Sequence, residues 1–404
     1  MNKYFFPHET NISAAYIWIN GGSSLDKYGQ NGINQILCSL LTRGCKSYDN
    51  FEISNLLNFN GAELNYETLE DGIYIGIKSL NDYFENVYPL LEMLINDSNL
   101  PEREFMKCKD KQINYILKSN ENFFIKAYDN WRKIVYKNHP YRYDSNGYLD
   151  TIKNIAYSDL IKEYDNFKTR NKYLLSNFEI ENSIDISKWN SENSFINKSN
   201  NTFLNLHKGK RYIEHNVSTN QIIILLGNQT CVHNSRDSLT LKILESYLTF
   251  GMSSLLFKMF REKNGLTYES GIINPVRNDN APFLIYLSVS NDKALAAFKV
   301  LINIWVSLLT KLIPKKNLEL SKIKLKNSIL VANQSIEEII LRKVQLIGFQ
   351  MDPSYDLDSI CHFKNISPEE VKRVVNKYLK NPFLSLLGDS KICNEIRKYW
   401  EDYS

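Results

Sequence analysis

Apolar positions along the chain recur with the period of a strand in some segments and of a helix in others. The same order of predicted elements occurs in each half. In the first half, alternating or continuous apolar runs predict a strand, a helix and a strand at residues 14–19, 32–44 and 71–78. The second half repeats this order at residues 221–227, from about 238 through 261, and 283–290. The patterning therefore predicts two mixed α+β domains built on one plan.

Each half also closes on a predicted helix, at residues 155–164 and 366–375, and the second is followed by a strand at 383–387. Ser367, Pro368 and Glu370 form a capping box with proline in the first turn, which marks a helix start. Ser158 and Asp159 occupy the corresponding place in the first half. These caps support the repeated plan.

A polar segment rich in Asn and Ser separates the halves. Residues 187–202 contain few side chains that could fill a core, so the segment is predicted to be a linker. The predicted organisation is an N-terminal domain at residues 1–186, a linker at 187–211 and a C-terminal domain at 212–404.

Composition narrows the class of protein without selecting a function. The chain has 404 residues, 43% of them hydrophobic, which is enough for two or three domains with large cores. A net charge of +4, from 49 basic and 45 acidic residues, is too balanced to indicate nucleic acid binding. Six cysteines without short spacings, no apolar leader at Met1 and no run of 18 apolar residues predict a cytoplasmic chain without a membrane span.

The first candidate site lies in residues 32–44, where the frame of a zinc-binding helix lacks its ligands. An inverted zincin carries H-x-x-E-H, with two imidazoles that hold zinc and a Glu that activates the bound water. The corresponding positions here are Gln35, Cys38 and Ser39. The six histidines include no pair at the i, i+3 or i+4 spacing of a helix, so they offer no substitute zinc pair.

The second candidate site is residues 251–270, which we call the signature segment. It contains Arg261, Gly265, Leu266 and Tyr268 in the pattern R-x-x-x-G-L-x-Y. A guanidinium offers a fork of donors to carbonyl oxygens, and a phenol can donate to an oxyanion. Taken singly, the same residues also fit a helix-terminal cation, a glycine C-cap and an ordinary strand tyrosine.

Together these two segments resemble the pitrilysin and insulinase superfamily, the M16 peptidases, in the branch of processing-peptidase-like subunits. The resemblance implies two homologous domains of the LuxS/M16-like metallopeptidase type, each a sheet covered by helices, closed as a clamshell. It also implies a third zinc ligand on a later helix. That ligand position falls on Tyr115, and an earlier acidic position falls on Cys108, so both acids are missing.

The resemblance implies a function shared between two chains. In several branches one subunit carries H-x-x-E-H and its partner lacks it, and in some bacterial pairs the zinc-free partner supplies the arginine and tyrosine. We therefore predict no metal in this chain, zinc in an H-x-x-E-H partner subunit, and catalytic contacts from Arg261 and Tyr268 to the peptide substrate. The chain is expected to be inactive alone. The heterodimer that it forms is expected to act as a zinc metalloendopeptidase.

Other interpretations remain open from the sequence. The chain could be a scaffold subunit with no part in hydrolysis, or a protein that holds peptides for another enzyme. An independent metallopeptidase is disfavoured because Gln35 and Tyr115 are poor zinc ligands beside Cys38 and Ser39. Residues 61–68 resemble the family's edge strand, on which an extended peptide adds as a further strand, and they also fit an ordinary alternating strand.

Overall fold

A computed structural model describes residues 1–186 and 211–403 of the chain. The predicted linker, apart from Arg211, lies outside these described residues. The strands are β1 (Asn2–Phe5), β2 (Ile12–Asn20), β3 (Glu63–Thr68), β4 (Gly72–Leu80), β5 (Lys172–Ser176), β6 (Ile184–Asp185), β7 (Tyr212–Asn216), β8 (Gln221–Gln229), β9 (Glu269–Ile273), β10 (Pro282–Ser290) and β11 (Phe383–Gly388).

The helices of the first half are α1 (Ile33–Leu41), α2 (Asn50–Phe59), α3 (Asn81–Asn96), α4 (Glu102–Ser119), α5 (Phe123–Val135), α6 (Leu149–Asn154) and α7 (Tyr157–Thr169). Those of the second half are α8 (Arg236–Thr249), α9 (Ala294–Thr310), α10 (Lys315–Ala332), α11 (Ile336–Gly348), α12 (Tyr355–His362), α13 (Pro368–Tyr378) and α14 (Ser390–Tyr403). The predicted strand–helix–strand order is present in both halves, which confirms the α+β class.

The described residues form two compact units, each of which contains one helix from the other half of the chain. The first unit comprises described residues 1–119, 143–186 and 330–356, and the second comprises 120–142, 211–329 and 357–403. Helix α5 therefore belongs to the second unit and α11 to the first. The domain boundaries predicted from the sequence do not include this exchange.

In the first unit, six strands form a sheet in the order β3-β4-β2-β5-β1-β6. Strand β2 reads as a continuous apolar run because both of its faces are covered. Ala15, Ile17 and Ile19 face the core that contains α1, whereas Tyr16 and Trp18 face α11. Among the strands that the structure describes, β3 pairs only with β4 and forms an edge of the sheet, as the resemblance implied.

In the second unit, five strands form a sheet in the order β7-β11-β8-β10-β9. Ile222, Ile224 and Leu226 pack in the larger core with α8 and α9, and Ile223 and Leu225 pack on the opposite face with α5. The α5 residue Trp131 is buried and donates from Nε1 to the Phe383 carbonyl at 3.2 Å. Strand β9 occupies an edge of this sheet, as β3 does in the first unit.

Helix α9 is the apolar centre of the second unit. By length and composition the segment Asn291–Thr310 could cross a membrane. However, Phe298, Leu301 and Trp305 are all buried in the core, and Trp305 Nε1 donates to the Leu379 carbonyl at 3.0 Å. Packing inside the unit therefore accounts for its apolar composition.

Two predicted helix boundaries were wrong. The helix predicted from about 238 through 261 ends at Thr249, and Gly251, with φ of +74°, begins a turn before a separate short helix. The closing helix of the first half begins at Tyr157 with Ala156 as its N-cap, and the Asp159 side chain accepts the Ala156 N–H at 3.0 Å. Helix α13, in contrast, starts after Ser367 as predicted, with the Glu370 N–H donated to Ser367 Oγ.

Candidate functional site

Helix α1, which carries the zinc-motif positions, begins at a glycine that no other residue could replace without strain. Gly32 is the N-cap and has φ of +93°. A Cβ placed there would lie 2.9 Å from the Asn146 carbonyl oxygen and 2.9 Å from Gly147 Cα. The glycine thus permits both the left-handed turn and the close approach of the neighbouring chain.

A polar network holds the first turn of α1. The Asp26 carboxylate accepts the Gly32 N–H at 2.6 Å and the Asn34 side-chain amide at 2.7 Å. The Arg170 guanidinium donates to Asn34 Oδ1 at 2.8 Å and forms an ion pair with Glu163. Burial raises the pKa of Asp26 to about 7, against the lowering effect of its N–H donors. This network fixes the start of the helix even though the zinc ligands are absent.

The three motif positions on α1 lie in different environments. Gln35 is half-buried, Cys38 is completely buried, and Ser39 is buried with 8% of its surface exposed. Burial raises the pKa of the Cys38 thiol to about 12. Because zinc binds the thiolate rather than the thiol, this environment opposes metal binding by Cys38.

The Ser39 hydroxyl, at the position of the second histidine, is engaged by neighbours on two other elements. It lies 3.3 Å from the phenolic oxygen of Tyr66 on β3 and donates to the Cys108 thiol on α4 at 3.4 Å. Tyr115, the predicted third-ligand position, is 50% exposed, and among the described residues no hydrogen bond, ion pair or ring contact joins its side chain to α1. The structure therefore brings Cys108, not Tyr115, to Ser39.

These side chains do not fit a zinc site. Gln35 offers an amide, Cys38 a protonated thiol and Ser39 a hydroxyl that already lies within hydrogen-bond distance of Tyr66. Structural and catalytic zinc prefer thiolate, imidazole and carboxylate ligands. Within the described ranges, no three His, Cys, Asp or Glu side chains are grouped so as to hold a metal ion. No step of a reaction can be assigned to a metal on this helix.

The signature segment folds as a short helix with a wide turn. Ser254 donates its N–H to the Gly251 carbonyl, and residues Phe257–Glu262 form a π-helical turn. Such turns are uncommon and occur often at functional sites. Gly265, with φ of +53°, ends the helix by donating its N–H to the Arg261 carbonyl at 3.2 Å. The glycine therefore acts as a C-cap in addition to any functional role.

Arg261 and Tyr268 both lie at the surface of the second unit. The Arg261 guanidinium carbon lies 5.7 Å from the centroid of the Phe257 ring. Tyr268, just before β9, is anchored through its backbone N–H to the Ser288 carbonyl at 3.0 Å, and its side chain is 67% exposed. Neither polar head has a hydrogen-bond or ion-pair partner recorded within the described chain, so both are available to a ligand.

Sequence reasoning missed Tyr66 and the network of Asp26, Asn34, Glu163 and Arg170. Tyr66 could have been found from period 2, since Leu64, Tyr66 and Thr68 share one face of β3. The network could not, because Glu163 and Arg170 are more than 120 residues from Asn34 in the chain. Only the fold brings them to the start of α1.

Comparison with known proteins gives two family matches that follow one another along the chain. Residues 7–160 match the model described as insulinase, peptidase family M16. Residues 185–325 match the model described as the peptidase M16 inactive domain. The first match contains the zinc-motif positions and the second contains the signature segment.

Among curated proteins, an uncharacterized zinc protease of Rickettsia felis is 22% identical over 88% of this chain and 87% of its own length. A Helicobacter pylori protein named the non-peptidase homolog YmxG is 20% identical over 65% of this chain and 62% of its own length.

Two solved structures share the fold over nearly the whole chain. A Helicobacter pylori protease has a TM-score of 0.82 and 19% identity, and the match covers 95% of each chain. A peptidase M16 inactive domain from Pseudomonas fluorescens has a TM-score of 0.79 and 17% identity, covering 96% of this chain and 95% of the other.

Proposed function

Because the chain belongs to the M16 (insulinase) peptidase family, we propose that it is the zinc-free subunit of a heterodimeric metallopeptidase. Its partner is an M16 subunit with an intact H-x-x-E-H motif and a bound zinc ion. The pair cleaves peptides or unfolded segments, and this chain contributes Arg261 and Tyr268 to the shared site. Alone, the chain is inactive.

One contrast carries the proposal. At α1, the Ser39 hydroxyl is bonded within the protein, and Cys38 is sealed in the core. In the signature segment, the heads of Arg261 and Tyr268 project from the surface without a recorded partner among the described residues. An inactive scaffold has no need for two free polar heads fixed by a π-helical turn and a glycine cap.

The two free heads suit complementary tasks in peptide hydrolysis. The Arg261 guanidinium can donate two parallel hydrogen bonds to carbonyl oxygens and so orient an extended peptide. The Tyr268 hydroxyl can donate to the oxyanion of a tetrahedral intermediate, where charge develops in the transition state. Both residues would act on a peptide held at the partner's zinc.

The principal alternative is a scaffold or peptide-binding subunit without a role in hydrolysis. The similarity to a protein named a non-peptidase homolog favours it. The position of β3 at the edge of the described sheet also favours peptide binding, because an extended chain can add to such an edge through main-chain hydrogen bonds. In this case Arg261 and Tyr268 would be dispensable for turnover by any pair.

The proposal is tested by conservative variants of the two residues in the mixture with an H-x-x-E-H relative. Tyr268→Phe removes one donor and should lower kcat by about 10²-fold, with KM little changed. Arg261→Lys keeps the charge but loses the fork, so it should raise KM. Tyr83→Phe and Arg103→Lys, at exposed positions in the first unit, provide matched controls.

Assembly must be measured beside activity by light scattering of the mixture. Unchanged kcat for Tyr268→Phe in a fully assembled pair would overturn the role assigned to the phenol. Equal losses in the controls would attribute the effect to general damage instead.

A further inference from the structure

Several positively charged side chains lie at and near the signature segment, although the net charge of the whole chain is only +4. Lys258 lies three residues before Arg261 in the same π-helical turn and is exposed. Lys324, on α10, donates from its ammonium group to the Phe250 carbonyl and to Ser253 Oγ, each at 2.6 Å. We call Lys258, Arg261 and Lys324 the cationic rim.

Within the cationic rim, Lys324 lies near enough to Lys258 for their charges to interact, and none of the three cations has a recorded acidic partner among the described residues. The hydrogen bonds of Lys324 fix its ammonium group at the turn that precedes the short helix. Partial burial lowers the pKa of Lys324, and the positive charge of Lys258 lowers it further. Among the described residues, no carboxylate lies within ion-pair distance of any of the three cations. Like charges placed together this way create a local positive potential that attracts anions.

Three acids lie in or beside the signature segment. Glu269 accepts a hydrogen bond from Tyr286 OH at 3.1 Å, on the strand side of Tyr268. Asp292 lies beside Lys293, whose ammonium group donates to the Gly265 carbonyl at 2.9 Å. Glu262 is the remaining acid of the segment, and it is exposed next to Arg261. Among the described residues, none of these acids is recorded as an ion-pair partner of Lys258 or Lys324.

Met252 places an exposed apolar side chain beside the cationic rim. Met252 is 78% exposed in the turn that Lys324 holds, and Ile323, adjacent to Lys324 on α10, is 56% exposed. Large apolar side chains at this exposure, next to fixed cations, suit a ligand that carries both apolar groups and negative charge. An extended peptide with acidic side chains offers that combination.

We propose that the cationic rim selects acidic peptides, so that the preferred substrate segment carries Asp or Glu beside an apolar residue. This inference rests on the proposed function and adds the class of substrate to it. The acidic side chains would lie at Lys258 and Lys324, while Arg261 contacts the peptide main chain. Met252 would cover the apolar residue.

The test is binding of matched peptides to the full chain alone. Three unstructured peptides of equal length carry Glu, Gln or Lys at the same positions, with a net-neutral rhodamine label for fluorescence anisotropy. The Glu peptide should bind most tightly, and its affinity should fall as salt is raised because exposed charges are screened. Lys258→Glu should weaken its binding by about three- to tenfold, and Lys258→Gln should weaken it less.

Lys398→Glu is the matched control, since Lys398 is exposed on α14 and its reversal changes the net charge equally. Equal binding of the three peptides would overturn the inference, as would equal losses for Lys258→Glu and Lys398→Glu. Binding to phosphatidylserine vesicles that Lys258→Glu abolishes, without a preference among the peptides, would assign the rim to a membrane surface instead.

The outcomes separate this inference from the function on which it rests. A mixture with an H-x-x-E-H relative that cleaves all three peptides equally would preserve the proposed function and overturn the acidic preference. A preference for the Glu peptide in binding, with no cleavage by the mixture, would preserve the cationic rim and overturn the catalytic role.

Discussion

The Ser39 hydroxyl lies 3.3 Å from the phenolic oxygen of Tyr66, which joins the helix of the zinc-motif positions to the edge strand of the sheet. With the Cys108 thiol 3.4 Å away on α4, the place of a zinc ligand is taken by a small set of internal hydrogen bonds. At the positions where the family resemblance places zinc ligands, polar groups therefore satisfy one another.

Restoring zinc ligands should succeed only where the structure brings side chains together. We predict that the triple variant Gln35→His, Ser39→His and Cys108→Glu binds about one zinc ion per chain, because all three positions then offer suitable ligands. The matched variant with Tyr115→Glu in place of Cys108→Glu should not, since Tyr115 is half-exposed. Zinc content after dialysis measures both, and stoichiometric zinc in the Tyr115→Glu variant would contradict the assigned geometry.

Gly32→Ala should destabilise the first unit strongly. The substitution places a Cβ 2.9 Å from the backbone of Asn146 and Gly147 at φ of +93°, so we expect a loss of about 3 kcal/mol or more in urea unfolding. Gly29→Ala is the control, because Gly29 has φ of +82° but nothing within 4 Å of its Cβ. It should cost about 1 to 2 kcal/mol. Equal losses of unfolding free energy in the two variants would mean that the positive φ alone causes the effect, which would contradict the predicted clash at Gly32.

Asp26 should make stability depend on pH. Its folded-state pKa of about 7 lies above the unfolded value near 4, so between these limits the folded chain binds more protons than the unfolded chain. This contribution is complete below pH 4 and is lost as pH rises through 7. The nearby charge of Glu163 acts in the same direction, and the N–H donors of Gly32 and Asn34 oppose it.

The measurement for Asp26 is the free energy of unfolding at pH 5 to 8 for the wild type and for Asp26→Asn. The wild type should lose stability relative to the variant as pH rises, with a slope of at most about 1.4 kcal/mol per pH unit. Asp110→Asn, at an exposed position on α4, should show no such difference. Parallel curves for the wild type and Asp26→Asn would contradict the raised pKa.

Gly348→Ala should destabilise the first unit, although alanine usually stabilises a helix relative to glycine. A Cβ at Gly348 would lie 2.1 Å from Cδ1 of Trp18, which is completely buried on β2. We expect a loss of about 1 to 3 kcal/mol in thermal or urea unfolding. Trp18→Leu in the same chain should recover part of this loss, and strictly additive effects of the two substitutions would contradict the close packing.

The sequence predicted the features that depend on local pattern. Strand β2, strand β10 and the capped helix α13 were found from periodicity and capping, because their apolar spacing and the Ser367 cap are local properties. The edge position of β3 was indicated by the family resemblance. Arg261 and Tyr268 were selected by their fixed spacing around a glycine, and their functional roles stay a prediction.

The remaining features depend on contacts between distant parts of the chain. The exchange of α5 and α11 between the units leaves no local signal, since an apolar helix face is the same whichever sheet it covers. The proximity of Cys108 to Ser39, rather than Tyr115, depends on the rotation of α4 against α1. Likewise, Lys324 reaches the signature segment only because α10 packs beside Phe250.

The most direct test of the shared active site is cleavage of unstructured fluorogenic peptides, with zinc content recorded, by the chain alone and by its mixture with an H-x-x-E-H relative from the same source. The account predicts cleavage only by the mixture, with zinc only in the relative. Cleavage by this chain alone would contradict the assignment of Gln35, Cys38, Ser39 and Tyr115 as lost ligand positions. Absence of cleavage by the mixture, although the relative contains zinc, would contradict the catalytic role of Arg261 and Tyr268.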